Sequence, residues 1–339
     1  MTLSQPGTGP RTGRLHAYIE FLVALVYFFV ARSLAHNGAI GLAREQWTLE
    51  QWSPLIDQAM LAFLLLLGYA AMGFALDREE HPVRAQGFPR RAGWSGEAGL
   101  GVAVGWALAV TCVLPLVVGG GIAIVLLLGL SAWGWLLADA AFFALAALAE
   151  EIAFRGYGFQ RFAQAVGPVG AAVGFAAFYA VVQALLPGSN HVTFAVSVVF
   201  SLVLSTAYLR TRALWVSWGL NFGWKASRAL LFGLAIGGDN SHSPVVQGNP
   251  MGPLWLTGGG FGLDSSWVTL IFLLVALPVV YRLTRGMNDR YNPSGTVPEI
   301  AREVVSGTVP DSLPENPDAA MPPPANPEPP SAPQPPPTD

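Results

Sequence analysis

The chain has 339 residues, of which 53% are hydrophobic and only 12% are charged, and its mean hydropathy is +0.46. Soluble proteins carry roughly 25% charged residues, so this composition excludes an ordinary soluble enzyme and indicates a polytopic membrane protein. The formal net charge of -3 says little about partners, because several acidic groups lie in the C-terminal tail, but the sequence has no basic patch of the kind that binds nucleic acid. The single cysteine, Cys112, excludes an intramolecular disulfide framework.

Apolar segments predict the membrane-spanning helices. A helix needs about 20 apolar residues to cross the hydrocarbon core. Eight segments qualify, and they lie near residues 15–35, 55–76, 98–118, 134–155, 168–186, 192–209, 213–235 and 266–284. The stretch 119–131 (GGGIAIVLLLGLS) is apolar but too short to span, and we expect a connecting or half-inserted helix there.

Arginine placement predicts the orientation of these spans. Nearly all arginines outside the spans lie in alternate loops, namely Arg11, Arg14, Arg78, Arg84, Arg90, Arg91, Arg155, Arg161, Arg210, Arg212, Arg282, Arg285 and Arg290. The opposite loops hold only Arg44. By the positive-inside rule we expect both termini in the cytoplasm and the protein in the cell (plasma or inner) membrane.

The ends of the chain differ in composition from the apolar centre. Residues 1–14 are polar and lack a small-residue cleavage site, so we expect a cytoplasmic segment and no removable signal peptide. Residues 15–285 would form an all-α bundle of about eight transmembrane helices. Residues 286–339 become proline-rich and acidic, with few large apolar groups, which predicts a disordered cytoplasmic tail.

Five ionisable residues fall at predicted membrane depth, where such groups are functional candidates: Asp139, Glu150, Glu151, Lys225 and Arg228. Asp139 and Glu150 are eleven residues apart, about three helical turns, and share one face. Arg155 follows Glu151 by four residues, so these two should pair along the helix. Glu150 would then face the bundle as a proton acceptor. Alternatively, the three charges of 150–155 anchor a helix end near lipid headgroups.

These residues resemble a known family. The sequence EEIAFR (150–155) matches the EExxxR motif of the CPBP proteins, which include CAAX prenyl endopeptidases, bacteriocin-processing enzymes and Abi-type membrane proteases. The segment AYLRTRALWVSWGLNFGWKAS (207–227) is similar to that family's third conserved segment. The segment PLWLTGGGFGLDSS (253–266) resembles a glycine-rich loop of one bacterial branch. The resemblance covers about residues 130–270.

The resemblance implies an intramembrane endopeptidase that acts on a membrane-associated protein or peptide. In the family, the first glutamate and one histidine activate a water, while the histidine and asparagine of an HxxxN motif hold the oxyanion. This implies that Glu150 is the general base and that Glu151 and Arg155 are its structural partners. Participation of a divalent metal is an open question for the family.

The chain departs from the family at every motif histidine. Aligning AAFYAVVQALLP (176–187) with the second motif places Gln183 at the histidine, whereas a shifted alignment places Tyr179 there. Pro187 favours the first alignment. The HxxxN pair reads Asn221 and Lys225. None of the five histidines falls on a motif position: His16, His36, His81, His191 and His242.

These substitutions change the available chemistry. The neutral amide of Gln183 can orient a water but cannot act as a base. Amide oxygens are poor zinc ligands, so we expect no zinc and no other cofactor. Lys225 could donate to an oxyanion beside Asn221, or form an ion pair with Glu150 that switches off the base. The ion pair is the expected resting arrangement, because an unpaired buried charge is costly.

Two functional hypotheses follow from the sequence. The first is an intramembrane endopeptidase, and the second is a catalytically inactive relative that binds membrane peptides or partner proteins as a scaffold. A transporter that uses Glu150 and Lys225 as a charge relay is a weaker third, because the sequence lacks paired broken helices. The expected partners are membrane lipid and a membrane-associated substrate, not nucleic acid.

Overall fold

The structure is a computed structural model, and it describes residues 10–287 apart from residues 90, 128 and 243. The predicted disordered tail lies outside the described residues from position 288 onward, as does most of the predicted cytoplasmic segment 1–14. The described chain is mostly helical, with one small antiparallel sheet.

The helices are α1 (Pro10–Glu45), α2 (Ser53–Asp77), α3 (Pro82–Ala85), α4 (Trp94–Val118), α5 (Leu130–Arg155), α6 (Tyr157–Val166), α7 (Pro168–Ala184), α8 (His191–Thr211), α9 (Trp215–Ala226), α10 (Leu254–Thr257) and α11 (Trp267–Leu283). The strands are β1 (Ile122–Leu126) and β2 (Val246–Pro250). A π-helical turn, Ser227–Leu231, continues α9. Short 3-10 turns cover Trp47–Trp52, Gly259–Phe261 and Leu263–Ser265.

Several helices have the length and apolar composition of membrane spans. Within the described part of the chain there are five: Gly13–Glu45, Leu49–Asp77, Trp94–Val118, Ala132–Val166 and His191–Thr211. Two more apolar helices, Pro168–Ala184 and Trp267–Leu283, are shorter. The segment predicted to span at 213–235 forms the short α9 and the π turn. The chain is therefore a multi-pass helical membrane bundle.

The segment after α4 corrects the sequence prediction. Residues 119–131 were expected to form a connecting or half-inserted helix, but Ile122–Leu126 is the strand β1. It pairs antiparallel with β2, with Ile122 opposite Pro250 and Leu126 opposite Val246. The β-branched residues of IAIV fit an extended chain, and the glycines at 119–121 end the preceding helix. The partner strand is more than a hundred residues away, so no local pattern could reveal the pairing.

Glycines bring α4 and α9 into close contact. Gly101 and Gly105 of α4 lie against α9, and Gly219 and Gly223 of α9 lie against α4, four residues apart on each helix. A Cβ atom added to Gly105 would lie only 2.3 Å from the backbone oxygen of Leu220. Small residues at such spacing allow helix backbones to approach within a membrane. This contact fixes the position of α9, which carries two predicted site residues.

A helix break at Gly156 sets the level at which α7 meets α5. The candidate span Ala132–Val166 runs through this break and includes α6. α7 then returns along the bundle, and the ring of Tyr179 packs edge-on against Phe154, with centroids 5.2 Å apart. Tyr179 and Gln183 of α7 therefore line the same cavity as Glu150 of α5.

Candidate functional site

Glu151 and Arg155 form a fully buried ion pair on α5. Nη1 of Arg155 lies 3.2 Å from Oε1 of Glu151, and both side chains are 0% exposed. Nη2 of Arg155 donates to the backbone oxygen and the hydroxyl oxygen of Ser201 on α8, at 3.1 and 2.8 Å. The pairing expected from their spacing is present, and it also ties α5 to α8.

Glu150 reaches across to α9. The amide nitrogen of Asn221 donates to Oε2 of Glu150 at 3.0 Å and to Oε1 of Glu151 at 3.1 Å, so that it bridges the two carboxylates. The ammonium of Lys225 contacts Oε1 of Glu150. The expected resting ion pair between residues 150 and 225 is therefore present. Glu150 is the more accessible partner, with its side chain 28% exposed.

A cavity of about 300 Å³ adjoins the Glu150–Lys225 pair. Tyr179 and Gln183 of α7 both line it, and Nε2 of Gln183 donates to the hydroxyl of Tyr179 at 3.0 Å. Both alternatives for the second motif therefore reach the same cavity. Ser197 of α8 adds a hydroxyl to its wall.

The six predicted site residues come together, in two groups. Glu150, Gln183 and Lys225 line the cavity. Asn221, Glu151 and Arg155 are connected to Glu150 by the hydrogen bonds and the ion pair described above. Asn221 therefore lies in position to hold the carboxylates.

A second ion pair borders the cavity on the π turn. Nη1 of Arg228 lies 2.9 Å from Oδ1 of Asp264, and the Arg228 side chain is 1% exposed. Its guanidinium stacks over the ring of Trp224 at 4.0 Å. π-helical turns occur often at functional sites. The sequence singled out Arg228 as an ionisable residue at depth, but it gave no sign of its partner.

His242 lines the same cavity, although sequence analysis gave it no role. Its Nδ1 lies 2.7 Å from Oδ1 of Asp139, and its Nε2 lies 3.6 Å from Oδ2 of Asp239. The imidazole stacks on Phe142 with centroids 4.0 Å apart. The only sequence signal was Asp139, a carboxylate in an apolar run that needs a partner. Its partner lies 103 residues later and could not be identified from spacing.

The side chains around Glu150 do not form a suitable ligand set for a metal ion. Among the described residues, no three histidine, cysteine, aspartate or glutamate side chains come together as a ligand set. The ammonium of Lys225 occupies the side of Glu150 where a cation would bind. The amides of Gln183 and Asn221 are weak ligands for zinc. The residues present therefore form a charged hydrogen-bonding site.

Comparison with known families decides what this arrangement resembles. Residues 132–227 match the family model described as type II CAAX prenyl endopeptidase Rce1-like. The resemblance to CPBP proteases is thereby confirmed for this region. A search of curated proteins found no match, and a search of solved structures found none either.

The Rce1-like region runs from the first turns of α5 to the first residue of the π turn. It contains all six predicted site residues. Arg228, His242 and Asp264 lie after it, although all three line the cavity. The glycine-rich loop at 253–266 also lies outside the matched residues, so its resemblance to the family stays a prediction.

Proposed function

We propose that this chain is a CPBP-type intramembrane endopeptidase homologue that hydrolyses a peptide bond of a membrane-associated protein or peptide. The observation that carries this proposal is the placement of Glu150 on a polar cavity within the Rce1-like region. A carboxylate on the wall of a cavity that is large enough for water and a peptide segment can accept a proton from an attacking water.

Glu150 acts as the general base in the proposed reaction. It takes a proton from water while the water oxygen bonds to the substrate carbonyl carbon. Lys225 moves from Glu150 to the developing oxyanion, because a charged donor stabilises negative charge strongly in an enclosed site. Collapse of the intermediate breaks the C–N bond, and the Glu150 carboxyl returns its proton to the leaving amine.

The remaining residues hold this geometry. Asn221 orients Glu150 through its bond to Oε2 and can turn its amide towards the oxyanion. Glu151 and Arg155 act as structural partners that fix α5 against its neighbours. Gln183 orients the water, and its bond to Tyr179 fixes the position of its amide. This scheme uses no metal or cofactor.

The proposed setting is the cell (plasma or inner) membrane. The chain would cross it eight times, with α7, α11 and the α9 segment added to the five long candidate helices. Both termini would lie in the cytoplasm, as the arginine distribution predicts. The substrate would then be cleaved near the cytoplasmic leaflet, with membrane lipid as the surrounding solvent.

A specific observation favours a second candidate function, a catalytically silent scaffold. Both carboxylate oxygens of Glu150 already have partners, Lys225 on Oε1 and Asn221 on Oε2. If this pairing is permanent, Glu150 cannot serve as a base. The cavity would then bind a membrane peptide without cleaving it.

Cleavage of membrane-tethered peptides separates the two candidates. The purified protein in lipid bilayers is incubated with a peptide panel, and products are identified by mass spectrometry. We expect cleavage that Glu150→Gln abolishes, whereas the same change at the exposed Glu50 has no effect. Turnover that survives Glu150→Gln contradicts the assigned base.

A restoration experiment tests the scaffold directly. Gln183→His, Asn221→His and Lys225→Asn together rebuild the family's motifs. If the parent protein cleaves nothing and the triple variant gains cleavage, the scaffold hypothesis is supported. The gain must disappear when Glu150→Gln is added.

A further inference from the structure

The loop of residues 232–242 forms part of the cavity wall. It follows the π turn and supplies Ile236, Gly237, Asp239 and His242 to the cavity wall. Its backbone turns sharply at Gly237 and Gly238, where φ is 61° and 88°. Such left-handed positions suit glycine and let a loop change direction at low cost.

Backbone hydrogen bonds fasten the beginning and the middle of this loop. Leu234 N donates to Arg228 O at 2.9 Å, and Gly238 N donates to Phe261 O at 3.0 Å. Towards the end of the loop, His242 fastens the chain to α5 through its contact with Asp139 and its stacking on Phe142. This third attachment is made by side chains, so protonation can alter it.

The imidazole of His242 lies between two carboxylates. Asp139 of α5 is 2.7 Å from Nδ1, and Asp239 of the loop itself is 3.6 Å from Nε2. Nδ1 is within hydrogen-bond distance of Asp139, whereas Nε2 is at ion-pair distance from Asp239. Only the protonated ring carries the positive charge that attracts both carboxylates. Charge-assisted hydrogen bonds are also about twice as strong as neutral ones.

The other charged groups on this cavity have partners of their own. Glu150 pairs with Lys225, and Arg228 pairs with Asp264. The charges that act on the His242 ring at contact distance are therefore those of Asp139 and Asp239. Histidine is the side chain that ordinarily changes charge between pH 5 and 8.

We propose that Asp139 and His242 form a proton-controlled latch that holds the 232–242 loop over the cavity. The protonated ring binds the loop to α5, and loss of the proton weakens that attachment and opens the cavity to molecules from outside. This inference concerns access to the site, and it does not depend on whether the protein hydrolyses peptides.

A thiol placed in the cavity wall measures access. Ser197→Cys replaces a hydroxyl with a thiol of similar size, and Cys112→Ala removes the native cysteine, the only one in the chain. Alkylation of the introduced thiol by N-ethylmaleimide is timed at pH 5.5 and 8.5, with and without His242→Gln. At each pH, the alkylation rate with His242→Gln is divided by the rate without it. This ratio cancels the pH dependence of the thiol itself.

We expect His242→Gln to raise the rate about tenfold at pH 5.5, since a charge-assisted contact is lost. At pH 8.5 the ratio should fall towards one, because the latch requires that loss of the ring proton opens the cavity of the parent protein as well. Asp139→Asn removes the charge of the other side chain in the contact and should give the same result. It replaces His242→Gln in the experiment if that variant fails to fold. His81→Gln, at an exposed histidine, is the matched control and should leave both rates unchanged.

Two results would overturn the latch. One is a ratio near one at pH 5.5, which means that the His242 contact does not control access. The other is a raised ratio that is equal at both pH values, which means that the contact matters but its protonation does not.

Discussion

The ammonium of Lys225 contacts Oε1 of Glu150, 75 residues away in the sequence, and is the counterion of this carboxylate. Asn221 holds the other oxygen of the same carboxylate at 3.0 Å. At rest both oxygens of Glu150 therefore have a hydrogen-bonding partner. Any reaction at this carboxylate has to begin with its release from these partners.

The first prediction measures the strength of the Glu150–Lys225 pair. Lys225→Met keeps the length of the side chain but removes its charge, so Glu150 loses its counterion. We expect the free energy of unfolding in detergent micelles to fall by about 2 kcal/mol, less than for a fully buried pair because Glu150 is partly exposed.

A double-mutant cycle provides the control for that pair. Adding Glu150→Gln to Lys225→Met removes the uncompensated charge and should recover about 1 kcal/mol. Arg84→Met, at an exposed cation, should change stability by less than about 0.5 kcal/mol. Strictly additive losses from the two single variants would show that the two side chains do not interact.

The second prediction concerns the contact between α4 and α9. Gly105→Ala places a Cβ atom 2.3 Å from Leu220 O and 2.6 Å from Trp224 N, both of them backbone atoms that cannot turn aside. We expect a loss of about 1–3 kcal/mol in unfolding free energy, with displacement of α9. Because α9 carries Asn221 and Lys225, ligand binding or cleavage at the cavity should fall with it.

Gly99 is the matched control on the same helix. No atom lies within 4 Å of a Cβ atom built there, so Gly99→Ala should be neutral or stabilise the helix by up to about 1 kcal/mol. Equal effects at positions 99 and 105 in thermal unfolding would contradict the close-contact explanation.

The third prediction tests why residue 155 is arginine. Its guanidinium contacts Glu151 through Nη1 and two atoms of Ser201 through Nη2. Lysine keeps the charge but cannot make this forked set of contacts. We expect Arg155→Lys to cost about 2–3 kcal/mol in chemical unfolding, whereas Arg84→Lys, at an exposed position, costs less than about 0.5 kcal/mol. If Arg155→Lys costs as little as Arg84→Lys, then Arg155 acts only as a counterion.

The fourth prediction concerns the start of α8. The side chain of Asn190 accepts hydrogen bonds from Val192 N at 2.8 Å and Thr193 N at 3.0 Å, and Asn190 N donates to the Thr193 hydroxyl oxygen at 3.1 Å. Asn190→Ala should lower the unfolding free energy by about 1 kcal/mol. Asn190→Asp keeps the side-chain oxygen that accepts these bonds. Its unfolding free energy should therefore stay within a few tenths of a kcal/mol of the parent's, as measured by thermal melting.

Much of the helical framework followed from sequence, because apolar length and helix periodicity are local properties. The spans predicted near 55–76, 98–118 and 192–209 correspond closely to α2, α4 and α8. The strand within residues 119–131 was not predicted, because a short apolar run fits either a helix or a strand. The seventh predicted span, 213–235, became the shorter α9 with a π turn, and the count of eight spans stays a prediction.

Within the site, local spacing was enough for residues on one helix. Glu151 and Arg155 are four residues apart, so helix geometry alone brought them together. The convergence of Glu150 and Lys225 was inferred from the order of the family's motifs, and the structure contains the contact.

The partners of Asp139 and Arg228 could not be predicted from the sequence. Its composition and periodicity determined a membrane bundle with a few charges that needed counterions. Only the tertiary structure decided which counterions they received, because the choice depends on how loops after α9 fold back over the cavity. A charge in an apolar helix requires a partner, but the fold of the chain between the two residues selects that partner, and for Asp139 and His242 this chain is 103 residues long.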